Sequence, residues 1–122
     1  MKQAGSIMIT VLVFSVVAIT VLSGAVVVSV INTQGTSDYS QAERLLAISE
    51  AGVENAALLM LRDPSYSGNN LSVGNDTVTI SVSGTNPLTI ESVVQNTDFT
   101  RRIQSVMERV GGVLNVTSWD EL

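Results

Sequence analysis

The sequence predicts an α+β fold: a long N-terminal α-helix, transmembrane in its first half, packed against a small C-terminal antiparallel β-sheet. Three observations predict it. Ser6 to Ile31 is dominated by Val, Ile and Leu, and no charge falls between Lys2 and Asp38. After Asp38, apolar and small residues recur at spacings of three and four as far as Met60, the signature of a helix with one packed face. Beyond Pro64 the pattern changes to alternation with period two, broken by Gly, Asn and Asp.

The first stretch is too long to be a strand, since strands usually span three to ten residues. As a helix, residues 6–31 extend roughly 37 Å, enough to cross a hydrocarbon core of about 30 Å with some tilt. Lipid offers the backbone no hydrogen-bond partner, so helix prevails over the modest propensity of valine. The sixteen Val, Ile, Leu and Phe of the run favour insertion by about 5–10 kcal/mol in sum. Lys2 precedes the run and the acids follow it, which favours an N-terminus on the cytoplasmic side. Residues 1–5, MKQAG, are short for the charged region of a secretory signal, and apolar residues continue past the small Ser23-Gly24-Ala25.

From Ile31 to Ser37 no strong helix former occurs, and Gly24 and Gly35 each weaken a helix by about 0.8–1 kcal/mol relative to alanine. The segment Gly24 to Gly35 reads either as a weakened stretch of the helix or as the membrane interface, where small residues let another helix approach. Past it, the stripe Ala42, Leu45, Leu46, Ser49, Val53, Ala56, Ala57 and Met60 faces the expected sheet. Glu43, Glu50 and Glu54 lie along another face and read as solvated, because no substrate-binding feature accompanies them. Pro64 ends the helix. One helix over residues 6–62 would be roughly 85 Å long, the length of a stalk rather than of a globular element.

In the C-terminal part, Thr77 to Ser83 alternates as a half-buried strand, and Leu71 to Val73 pairs with it across Gly74-Asn75-Asp76. Leu88 to Val94 and Phe99 to Val106 form a second hairpin turning at residues 95–98. Gly111-Gly112 turns into a last strand, Val113 to Trp119. Trp119 is expected to cover the small core.

The 122 residues allow one small core beyond the apolar segment, too small for a large catalytic cleft. The chain has neither cysteine nor histidine, which excludes disulfides, the common zinc sites and His-based triads; an enzyme is not expected, nor any cofactor. A net charge of −5 with one lysine disfavours nucleic acid, although the adjacent Arg101 and Arg102 form a candidate local anion site. Asp63, Asp76 and Asp98 are loop carboxylates without calcium-loop spacing. Asn70, Asn75 and Asn115 each open an Asn-x-Ser/Thr triplet, a pattern short enough to arise by chance.

A short basic leader ending in Gly5, an uninterrupted apolar helix, and a polar helix containing Ser49-Glu50-Ala51-Gly52-Val53-Glu54-Asn55-Ala56 together resemble the type IV pilin and pseudopilin superfamily. The resemblance covers about Lys2 to Arg62 and is nearest to minor pilins. It implies a leader at residues 1–5, cleavage between Gly5 and Ser6 by a prepilin peptidase, and methylation of the new amine. It also implies a filament-core helix half at 6–31, a polar half at 32–63 and a β-rich head at 64–122. The implied partners are other pilin subunits, the inner-membrane assembly platform and the membrane itself. The implied location is a single-pass cell membrane before assembly and a surface or periplasmic filament afterwards. Thr10 stands where major pilins carry a glutamate that pairs with a neighbour's N-terminal amine. A hydroxyl does not neutralise an amine, which leans towards a minor subunit. Thr10, Gly24, Gly35, Glu50 and Glu54 are the implied assembly positions, with Ala47, Ala51 and Gly52 as small packing surfaces. The alternative is a signal-anchored single-pass surface protein that does not polymerise.

Overall fold

The computed structural model describes residues 2–122, with side chains from Gly5 onward. Met1, the first residue of the expected leader, lies outside the described residues. The chain divides into two compact units, Met1–Tyr39 and Ser40–Leu122. One helix, α1, spans Lys2–Arg62, and five strands follow: β1 Asn70–Val73, β2 Asp76–Gly84, β3 Leu88–Gln95, β4 Thr100–Val110 and β5 Val113–Glu121.

In the second unit the strands form an antiparallel meander in the order β1-β2-β3-β4-β5. The turns follow from local chemistry. Val110 pairs with Val113, and Gly111 and Gly112 both have positive φ (59° and 82°), the requirement of a tight turn whose twist matches the strands. Asn96 Oδ1 accepts from the backbone N–H groups of Asp98 (2.9 Å) and Phe99 (2.8 Å), closing the β3–β4 loop. The Asn86 side chain accepts from the Arg109 backbone N–H (2.9 Å) and donates to its carbonyl (3.3 Å), tying the β2–β3 loop to β4.

The core lies between residues 42–60 of α1 and one face of the sheet. Leu45, Val53, Ala56, Val78, Leu88, Ile90, Val94, Ile103 and Met107 are buried there. Full burial of each large side chain is worth about 1.5–3 kcal/mol. The helical stripe is as expected at Ala42, Leu45, Ser49, Val53, Ala56 and Met60, with Leu46 and Ala57 only half-buried. Ile48 and Gly52 join it. Gly52 is thus not a surface for another subunit: an added Cβ would stand 2.3 Å from Ser92 Oγ and 2.8 Å from Val78 Cγ1. Glycine permits the helix backbone to approach β3 this closely.

The helix ends as its residues dictate. Asp63 N–H donates to the Leu59 carbonyl (2.7 Å) and Pro64 follows. Arg109 on β4 donates through Nη2 to the Met60 carbonyl (2.6 Å), one of the last four carbonyls, which lack a partner within the helix.

Candidate functional site

The first unit is a helix whose surface is apolar and uncovered. Its large apolar side chains, from Ile7 to Ile31, are between 48% (Val30) and 74% (Phe14) exposed. The helix is long and apolar enough to cross a membrane. Its hydroxyls are satisfied from within. Thr10 donates to the Ser6 carbonyl (2.9 Å), Ser15 to Val11 (2.8 Å), Thr20 to Val16 (2.8 Å), Thr33 to Ser29 (2.9 Å) and Thr36 to Asn32 (2.9 Å). Each bond removes a polar group that lipid could not satisfy, so the scattered Thr and Ser reduce the apolar character less than the sequence suggests.

Gly5 and Ser6 lie within the helix and are exposed. Gly24 and Gly35 sit in unbroken helix, and an added Cβ at either would meet nothing within 4 Å. These two glycines therefore leave open backbone surface against which another helix can pack closely.

On the second unit, the helical face away from the core carries Glu43, Ala47, Glu50, Ala51, Glu54, Leu58 and Leu61, all exposed. None of the three glutamates has an ion-pair partner among the described residues. The sequence reading passed over Leu58 and Leu61. Their signal was present: they are apolar, yet fall outside the stripe that reaches the sheet. Beside them an apolar groove of about 330 Å³ runs between the helix and β5.

Other expected sites are not assembled. Arg101 pairs with Glu121 (2.6 Å) and Arg102 with Glu91 (3.8 Å). As neighbours on β4 the two arginines point to opposite faces of the sheet, so they form no joint anion site. Asp76 is held by Arg44. Asp63 accepts from the hydroxyl and the backbone N–H of Ser65 (2.6 and 2.9 Å), which hold its carboxyl below the ordinary range. Among the described residues no three acidic side chains come together as a metal site. Trp119 is 41% exposed and does not seal the core. Asn70, Asn75 and Asn115 are exposed.

No protein-family model, curated protein or solved structure matches this chain.

Proposed function

We propose that the chain is a structural subunit of a type IV pilus or related pseudopilus filament, cleaved after Gly5 by a prepilin peptidase and assembled through its N-terminal helix as a minor subunit. The observation that supports this is the uncovered apolar helix of the first unit, joined in one polypeptide to an α+β unit with its own core. Such a helix needs lipid or other apolar helices around it. A filament supplies the second environment after the membrane has supplied the first. Thr10, lacking a carboxylate and bonded to its own helix, fits a specialised position in that filament.

The same Thr10 bond favours a second reading, a monomeric single-pass anchor, because it leaves the hydroxyl already engaged. The two readings differ at Gly5. A peptidase needs extended backbone, so the first turn of α1 has to unwind, and glycine lowers that cost while leaving the scissile bond unobstructed. Co-expression with a prepilin peptidase, followed by mass spectrometry of the mature N-terminus, is expected to show loss of residues 1–5. Gly5→Trp is expected to block processing. An intact Met1 or cutting near Ala25 would favour the monomeric anchor, as would normal processing of Gly5→Trp.

A further inference from the structure

Arg109 carries more charge than its surroundings balance. Burial alternates along β4 at Ile103, Ser105 and Met107, which puts Arg109 on the core side of the sheet, where it is half-buried. One of its N–H groups, on Nη2, donates to the Met60 carbonyl (2.6 Å) at the end of α1. The negative end of a helix dipole amounts to about half an elementary charge, so this contact offsets the guanidinium only in part. No acidic side chain among the described residues supplies the rest. Asp76, Glu121 and Glu91 are each paired with another arginine. Asp63, at the same end of α1, accepts from Ser65 (2.6 and 2.9 Å), and Glu108 lies on the opposite face of the sheet.

Arg109 also lines a cavity of about 230 Å³, together with Met60, Pro64, Gly84, Thr85 and Leu88. Met60 and Leu88 give it a buried apolar wall. Thr85 is exposed, and its hydroxyl makes no hydrogen bond among the described residues. Asn86 holds the Arg109 backbone on both its N–H (2.9 Å) and its carbonyl (3.3 Å), so the arginine is anchored before any ligand arrives and little ordering remains for binding to do. A dry cavity of about 150 Å³ accommodates benzene, which gives this one room for a small molecule.

We propose that this cavity binds a small aliphatic carboxylate, whose oxygens accept from the Arg109 guanidinium and the Thr85 hydroxyl while its alkyl chain lies on Met60, Leu88 and Pro64. The ligand class follows from the donors and the walls together. A planar guanidinium matches the two oxygens of a carboxylate, and the hydrogen bonds it donates to an anion are stronger than those to a neutral acceptor. Phosphate suits the cavity less well. One arginine and one hydroxyl leave most of its oxygens facing apolar side chains, and its larger charge is repelled more by the carbonyl end of α1. An uncharged apolar molecule would leave the guanidinium unbalanced. The site lies wholly within residues 40–122 and does not depend on whether the chain polymerises.

Sodium butyrate, titrated at neutral pH into the full chain in non-ionic detergent, tests the site by nitrogen–proton NMR. Saturable shifts are expected at the Thr85 and Leu88 amides and the Arg109 Nε–H, with the Trp119 indole N–H unmoved as a control for the fold. Butyramide keeps the shape without the charge and is expected to bind at least about tenfold more weakly, as the loss of a charge-assisted hydrogen bond predicts. Inorganic phosphate at equal ionic strength is expected to shift the same signals less than butyrate. Thr85→Glu places a carboxylate of the chain's own beside Arg109 and is expected to abolish saturation without lowering the thermal midpoint. Should that variant lose the Trp119 signal, Thr85→Val removes the hydroxyl alone and is expected to weaken butyrate binding several-fold. The assignment is overturned by butyrate without saturable shifts at these residues, by butyramide binding equally well, by phosphate binding more tightly, or by undiminished binding in the folded Thr85 variant.

Discussion

Gly52 and Ser92 meet where the helix approaches β3 closely, and each constrains the other. Ser92 Oγ is buried without a hydrogen-bond partner, while its carbonyl accepts from Ser49 Oγ (3.0 Å). An unpaired buried hydroxyl costs about 1–3 kcal/mol. Ser92→Ala is therefore expected to leave stability unchanged or to raise it by about 1 kcal/mol. Gly52→Ala gains about 1 kcal/mol of helix propensity but overpacks the site by about 1–3 kcal/mol, so a net loss is expected. The double substitution should recover part of that loss, since removing Ser92 Oγ relieves the tightest contact. Denaturant titration of the four proteins measures the coupling; additive effects would mean that the two residues do not touch. Neither residue announced itself in the sequence. Gly52 sat inside a small-residue run that reads equally well as an outer surface, and Ser92 occupied an apolar position of a strand.

The C-terminal end of α1 is secured by a residue far along the chain. Arg109 on β4 donates to the Met60 carbonyl, and its own backbone is held by Asn86. Arg109→Ala is expected to cost about 1.5–3 kcal/mol, the worth of a hydrogen bond from a charged group. Arg109→Lys should recover only part, because an ammonium does not reproduce the reach and planarity of guanidinium. Hydrogen exchange of residues 57–63, measured beside global unfolding, distinguishes fraying of the helix end from loss of the whole fold. Proline and loop composition located the end of the helix in the sequence, but not what holds it. That depends on the β3–β4–β5 register, which brings a residue 49 positions away to the last turn.

The two units differ in what covers their apolar surface. Residues Ser40–Leu122 bury a core of their own, whereas the large apolar side chains between Ile7 and Ile31 are exposed. A fragment of residues 40–122 is expected to unfold cooperatively in circular dichroism and to remain in solution. The full chain is expected to resist alkaline extraction from membranes. A non-cooperative fragment would show that its core depends on the preceding segment. Much of this division was legible in the sequence, for physical reasons. An uncharged apolar run of membrane-crossing length admits one backbone solution in lipid, and period-two alternation between turn residues marks strands and hairpins, whereas the order of the strands in the sheet is a property of the fold. Helix limits, five strands and their turns are therefore local properties, each fixed by residues near in sequence. The packing of the helix on the sheet is not local. Only the packed structure decided that no side chain of β5 is buried, that Trp119 stays half open, that Arg101 and Arg102 diverge, and that Gly52 faces inward. The reason is common to all four: each depends on how far apart elements come to rest, and that distance is set by the side chains of both partners together.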